Sequence, residues 1–104
     1  MGNKLRLCLV EDVQIDEPYA VHPKGFPSLC VFRVDGEIFV TNNHCTHGKA
    51  FLSDGFQEGE IIECPFHGGT FNIKSGAAIK LPCQEALKTY KVSVEDGEIF
   101  IDGD

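Results

Sequence analysis

Two short motifs in this sequence place a cysteine close to a histidine. In the first motif one residue separates Cys45 from His47, and in the second two residues separate Cys64 from His67. Thiolates and imidazoles are side chains that bind transition metals well. A glycine follows each motif, and because glycine has no side chain, backbone amides can approach a bulky anionic ligand closely there. The two motifs together predict one metal site built from two loops.

Two metal chemistries use two cysteines and two histidines. Zinc sites usually pair like ligands, as C-x₂₋₄-C and H-x₃₋₅-H, and neither spacing occurs here. A Rieske [2Fe-2S] centre instead places two cysteines on one iron and two histidines on the other. Two loops that each offer one cysteine and one histidine can straddle two metals, so the mixed spacing favours the iron–sulfur centre. A zinc-stabilised binding module is the alternative.

Short strands separated by turns must position these motifs. Asp35-Gly36 and Asp96-Gly97 suit tight hairpins because both turn residues tolerate positive φ. The proline-rich segment 17–28 is expected to be a loop. The regular spacing predicts an antiparallel β-sandwich or barrel. Strands are expected at 4–10, 29–34, 37–41, 60–64, 69–73, 78–82, 88–94 and 98–102.

Length and charge limit the function further. The 104 residues suit one domain, spanning 1–104, and 16 acidic against 9 basic side chains give a net charge of −7. This charge disfavours nucleic acid and anionic membranes as partners and favours basic protein surfaces. We expect a cytoplasmic protein, since neither a membrane helix nor a signal peptide is apparent. In that compartment five cysteines indicate metal or thiol chemistry rather than disulfides.

The two motifs resemble those of the Rieske ferredoxins that serve bacterial aromatic-ring-hydroxylating dioxygenases. The likeness rests on C-T-H-G at 45–48, C-P-F-H-G-G at 64–69, the segment D-G-F-Q-E-G-E-I-I-E between them and a following L-P. It covers nearly the whole chain, as far as I-F-I-D at 99–102. The resemblance implies an all-β Rieske-type fold with a cluster-binding tip formed by loops at about 43–50 and 64–70.

The same resemblance implies the ligands of one [2Fe-2S] cluster. Cys45 and Cys64 would hold the inner iron, and His47 and His67 would hold the outer iron near solvent. The segment Leu81-Pro82 resembles a third loop that covers the cluster from the side.

Departures from other Rieske proteins predict a low reduction potential. Respiratory and photosynthetic members carry C-T-H-x-G-C and C-P-C-H-G-S, whose extra cysteines bridge the two loops. Ala50 and Phe66 stand at those positions here, while Gly69 and Phe71 replace a serine and a tyrosine that donate hydroxyl hydrogen bonds to the cluster. Loss of these bonds predicts a potential near the low end of the Rieske range, about −150 mV.

The resemblance implies an electron carrier rather than an enzyme. The chain lacks a glycine-rich nucleotide fingerprint. It is also too small to be the oxygenase, which needs a second, mononuclear iron bound by two histidines and a carboxylate, and only His22 and His44 remain for such a site. The expected role is one-electron transfer from a flavin NAD(P)H-dependent reductase to a terminal Rieske oxygenase that hydroxylates or dihydroxylates an aromatic compound. Both encounters would be transient, and the chain would be a monomer. The alternative is a Rieske-like small subunit of another reductase, such as a nitrite reductase.

Other residues near the motifs have simpler interpretations. Cys8, Cys30 and Cys83 are expected to be small buried side chains, and Phe66 and Phe71 are expected to shield the cluster from water. His22, His44 and Lys49 are expected to lie in surface loops.

Overall fold

Short antiparallel strands form almost all of the regular structure. The computed structural model describes residues 4–46, 49–66, 68–81 and 83–102. Within these ranges the only helical segments are two 3₁₀ turns, Val10–Asp12 and Leu52–Asp54. The strands are β1 Lys4–Leu9, β2 Tyr19–Val21, β3 Leu29–Val34, β4 Glu37–Asn42, β5 Phe56–Glu58, β6 Ile61–Glu63, β7 Thr70–Asn72, β8 Ala78–Lys80, β9 Thr89–Tyr90, β10 Val92–Glu95 and β11 Glu98–Asp102. The predicted all-β class is confirmed.

The strands form three sheets. The first sheet has the order β1-β11-β10, the second β2-β3-β4-β9, and the third β5-β6-β7-β8. We call the third sheet the tip sheet, because the second Cys-His motif lies between its strands β6 and β7. Among the described residues, no helix is long and apolar enough to cross a membrane.

The second sheet is the middle layer of the molecule. Alternate residues of β3 enter different cores: Leu29 and Val31 pack with Ile99 of the first sheet, whereas Cys30 and Phe32 pack with residues of the tip sheet. Because successive side chains of a strand point to opposite faces, both faces of β3 are covered. The core between the second sheet and the tip sheet contains the following buried residues: Cys30, Phe32, Val34, Cys45, Ala50, Leu52, Ile62, Cys64, Phe71, Ile73, Cys83 and Leu87.

The two Asp-Gly hairpins have the predicted geometry. Asp35 and Gly36 have φ angles of 50° and 80°, and Asp96 and Gly97 have φ angles of 51° and 76°. Positive φ at both turn residues matches the twist of the flanking strands. The first turn therefore joins β3 to β4, and the second joins β10 to β11.

The strands differ from the sequence-based expectation in three places. The predicted loop 17–28 contains β2, which pairs with β3. The three-residue strand β5 pairs with β6 and was not expected. The single strand predicted at 88–94 is two strands, because β9 pairs with β4 whereas β10 pairs with β11. Residues 89–95 thus contribute one strand to the second sheet and one to the first.

A bulge interrupts the regular pairing of β1 with β11. Arg6 pairs with Phe100 and Cys8 with Ile99, so that Leu7 has no partner in the register. Such a bulge changes which face the following side chains occupy. Cys8 is consequently buried in the core between the first and second sheets.

Candidate metal centre

The first motif lies in a loop that is closed at its base by backbone pairing. His44 forms a bridge with Phe51, and the N–H of Cys45 donates to the carbonyl of Ala50 at 2.9 Å. The rings of His44 and Phe51 also contact each other, with their centroids 4.7 Å apart. Cys45 is only 3% exposed. The closure therefore holds the thiol at the inner end of the loop.

A buried asparagine anchors this loop to the body of the fold. The side-chain amide of Asn43 donates to the hydroxyls of Ser28 at 3.1 Å and Ser53 at 3.0 Å. Its carbonyl oxygen accepts a bond of 2.9 Å from the backbone N–H of Ser53. Asn43 is 1% exposed, and a buried amide with satisfied donors and acceptor positions its neighbours firmly. It thereby fixes the chain two residues before Cys45.

The second motif lies in a hairpin within the tip sheet. Glu63 of β6 pairs with Thr70 of β7, and the N–H of Cys64 donates to the carbonyl of Gly69 at 2.8 Å. Cys64 is fully buried. Both motifs therefore use the same device, in which the cysteine amide bonds to the carbonyl five residues further along the chain. The device places each cysteine at the base of its loop.

A third segment packs against the thiols through a cysteine. The Sγ atom of Cys83 lies 3.7 Å from the Sγ atom of Cys45, and Cys83 is 3% exposed. A Cβ atom at Gly69 would lie only 2.4 Å from the same Sγ, so the absence of a side chain at 69 makes room for Cys83. Leu81 is 67% exposed. The covering role of the Leu81-Pro82 segment stays a prediction, because Pro82 lies outside the described residues.

Burial raises the pKa of two thiols at the site, those of Cys64 and Cys83. Burial raises the pKa of Cys64 above its ordinary value, the backbone N–H of Phe66 lowers it in part, and the neighbouring Cys45 thiol raises it further. Burial also raises the pKa of Cys83, to about 12. Metal ligation requires thiolates, so metal binding at Cys45 and Cys64 would release protons. Such buried thiols suit a metal site rather than solvent-exposed thiol chemistry.

The structure brings together two of the four predicted ligands. Cys45 and Cys64 are neighbours in the core, whereas His47 and His67 lie outside the described residues. Within the part of the chain that is described, no three His, Cys, Asp or Glu side chains are arranged to hold a metal ion. Cys83 thus lies beside the two predicted cysteine ligands. Two adjacent buried thiols, each from its own closed loop, fit the cysteine-bound half of a Rieske cluster.

The other residues singled out in the sequence lie mostly as expected. Cys8 and Cys30 are buried, and no disulfide joins any of the five cysteines, all of which are described. Phe71 is fully buried in the core beside the thiols, but Phe66 is 52% exposed and does not share that packing. The side chains of His22, His44 and Lys49 are exposed.

The contacts of two residues that support the site were not predicted from the sequence. Asn43 carried no signal beyond its position just before the first motif, because most asparagines there would be exposed loop residues. Cys83 follows Leu81 by two residues, which allows it to lie near the cluster, but the sequence does not predict its contact with Cys45. Its proximity to Cys45 depends on the fold of the third segment, which no short-range pattern describes.

Comparison with known proteins identifies the family. Residues 3–91 match the Rieske [2Fe-2S] domain family. The chain therefore belongs to this family, and its cofactor is a Rieske-type [2Fe-2S] cluster.

Individual relatives are ferredoxins. The chain is 39% identical over 100 residues to "Ferredoxin CarAc" of Metapseudomonas resinovorans, with 96% of this chain and 94% of the relative covered. The solved structure of a Sphingomonas yanoikuyae B1 ferredoxin is 58% identical, with a TM-score of 0.96 and with 98% of this chain and 100% of that chain covered. A complex of reduced oxygenase and oxidized ferredoxin in carbazole 1,9a-dioxygenase contains a chain that is 38% identical, with a TM-score of 0.91 and coverage of 100% and 96%. The protein is accordingly an electron-carrying ferredoxin and not itself an enzyme.

Proposed function

We propose that Cys45 and Cys64 bind one iron of the cluster and that His47 and His67 bind the other. The observation that carries this proposal is the pair of closed loops, each of which holds a buried cysteine at its base. In each motif the histidine follows its cysteine by two or three residues. This order suits thiolates in the core and imidazoles nearer the partner.

As an electron carrier, the chain would accept one electron from a flavin NAD(P)H-dependent reductase and pass it to a terminal Rieske oxygenase acting on an aromatic compound. The cluster supplies reversible one-electron chemistry when bound. The protein supplies its environment: Cys45 and Cys64 are shielded from water, while His44, Thr46 and Phe66 beside the loops are exposed. An electron entering or leaving at the loops would therefore cross little protein.

The remaining details of this role follow from charge and from the missing hydroxyl donors. The net charge of −7 favours brief encounters with basic surfaces of both partners. Neither Gly69 nor Phe71 has a hydroxyl that donates to the cluster, so the reduction potential would lie near the low end of the Rieske range, about −150 mV. A monomer of one domain in the cytoplasm suits such a shuttle.

Reconstitution tests the role directly. The purified, cluster-loaded chain would be mixed with a flavin reductase, NADH and the terminal oxygenase of an aromatic dioxygenase system, and product formation would be measured with and without the chain. We expect turnover to require the chain, and we expect higher ionic strength to slow it because screening weakens steering between charged surfaces. Turnover that is equally fast without the chain would refute the shuttle.

The alternative of a small subunit in another reductase predicts a different result. Such a subunit would co-purify with a large, permanent partner from its native source. A shuttle would separate from its partners during gel filtration and would still transfer electrons when they are mixed again. Permanent co-purification would therefore overturn the proposal of a transient carrier.

A further inference from the structure

We propose that the thiol of Cys83 donates a hydrogen bond to the Sγ atom of Cys45 in the loaded protein and thereby raises the reduction potential of the cluster. The inference rests on the proposed function in one respect, namely that Cys45 is a ligand. It assigns to the third segment a positioning residue that tunes the site without binding metal.

The geometry sets the direction of this bond. The two Sγ atoms are 3.7 Å apart, within hydrogen-bond range for two sulfurs. A ligand thiolate has no proton to give, so once Cys45 binds iron only Cys83 can be the donor.

Packing keeps the donor in place. Cys83 is 3% exposed, and its backbone N–H donates to the carbonyl of Lys80 at 3.2 Å. On one side of the thiol lies Gly69, where an added Cβ would be 2.4 Å from Sγ and 3.0 Å from the backbone nitrogen of Cys83. The side chain therefore has little space to turn away from Cys45, and water has little access to replace it.

The effect on the potential has a definite sign. Reduction adds one negative charge, and a donor held against a ligand sulfur stabilises the more negative state. Hydroxyl donors are missing at Gly69 and Phe71. Cys83 would thus donate to a ligand sulfur from a part of the chain other than positions 69 and 71.

The potential of Cys83 variants tests the inference. A net hydrogen bond changes an equilibrium constant by about fivefold, which is about 40 mV for a one-electron couple. We expect the reduction potential of Cys83→Ala to fall by about this amount and that of Cys83→Ser, which keeps a donor, to stay nearer the unmodified value. Cys8→Ala is the matched control, because Cys8 is a buried cysteine in the other core, and its potential should not change. Equal potentials for Cys83→Ala and Cys8→Ala would overturn the inference.

A spectroscopic measurement on the unmodified protein covers the case in which Cys83→Ala does not fold. After exchange into D₂O, electron–nuclear double resonance of the reduced cluster should detect an exchangeable deuteron close to a ligand sulfur. In Cys83→Ser, whose donor is a hydroxyl, this coupling should change in size, whereas in Cys8→Ala it should not. An unchanged coupling in Cys83→Ser would also overturn the inference.

The same samples separate this inference from the ligand assignment. If Cys45→Ser keeps the full cluster with unmodified spectra, Cys45 is not a ligand and both proposals fail. If Cys45→Ser loses the cluster while Cys83→Ala keeps it with an unchanged potential, the assignment of Cys45 stands and only the role of Cys83 fails.

Discussion

The two cysteine-bearing loops close in the same way but are supported differently. The loop of Cys64 joins neighbouring strands of one sheet, and its ladder continues below the loop through Ile62↔Phe71 and Ile61↔Asn72. The loop of Cys45 leads from β4 in the second sheet toward the tip sheet, and among the described residues its base is paired by one isolated bridge, between His44 and Phe51.

Side-chain hydrogen bonds support the first loop where a strand ladder supports the second. Asn43 makes three side-chain hydrogen bonds below the loop, and the Thr46 hydroxyl within it donates to the carbonyl of Glu85 at 2.7 Å. A loop between strands of one sheet inherits its shape from the sheet register. A loop between sheets has no such register, and specific polar contacts must define it.

Substitution of Cys45 or Cys64, the proposed cysteine ligands, should have the largest effect of these variants. The loss of the cluster should be the same whichever of the two loops is changed. We expect Cys45→Ser and Cys64→Ser to lose the visible absorption and most of the iron and acid-labile sulfide, since serine is a far poorer ligand for an iron–sulfur cluster. Cys30→Ala is the control, because Cys30 is buried in the same core but belongs to neither loop. Full iron and sulfide content in either serine variant would contradict the ligand assignment.

Removal of the Asn43 side chain should show that the first loop depends on side-chain hydrogen bonds more than the second loop does. Asn43→Ala loses three hydrogen bonds and leaves buried groups without partners, which should lower the free energy of unfolding by about 2–4 kcal/mol. Asn72→Ala, in the strand after the second loop, is the matched control because water can replace its bonds to Lys74 and Ser75. Urea unfolding of both variants makes the comparison, and an equal or larger loss for Asn72→Ala would contradict it.

A methyl group at Gly69 should reveal the steric constraint on the second loop. Gly69→Ala places a Cβ against Cys83, and such overpacking should lower the free energy of unfolding by about 1–3 kcal/mol. The double variant Gly69→Ala/Cys83→Ala should recover part of this loss, as a double-mutant cycle would measure. Gly36→Ala is the control with open space around it, and its φ of +80° alone should cost about 1 kcal/mol. Strict additivity of the two substitutions would mean that Gly69 and Cys83 do not constrain each other.

Loss of the Thr46 hydroxyl should have the smallest effect. Thr46→Ala removes one exposed bond to the carbonyl of Glu85, which should lower the free energy of unfolding by about 0.5–1.5 kcal/mol. Thr46→Ser keeps the hydroxyl and should retain most of that stability. Thermal unfolding of the two variants distinguishes loss of the bond from loss of the threonine methyl group, which both variants share.

The sequence was sufficient to predict the elements with strong local signals. The Asp-Gly turns and their flanking strands were predictable because their geometry depends on two residues. The strands β2 and β5 were missed, since three residues carry too little alternation to be recognised. The division between β9 and β10 depends on which sheet each half joins, and that is a long-range property.

The candidate site was predictable to a similar degree. Residue type and spacing, which metal chemistry restricts, were enough to single out Cys45 and Cys64, and the structure places both in one core. The contacts of Asn43 with Ser28 and of Cys83 with Cys45 join residues that are 15 and 38 positions apart. Only the folded chain brings such pairs together, and for that reason these two contacts were not predicted.

The pairing of β1 with β11 has a consequence for protein engineering. Lys4 lies opposite Asp102 in the first sheet, so the two ends of the described chain are neighbours. A short linker between adjacent ends permits circular permutation or insertion of a domain into a host protein. New ends opened at the Asp35-Gly36 turn would leave both cysteine-bearing loops uncut. A redox module could thus be inserted into a surface loop of another protein, with both of its ends joined to that one loop.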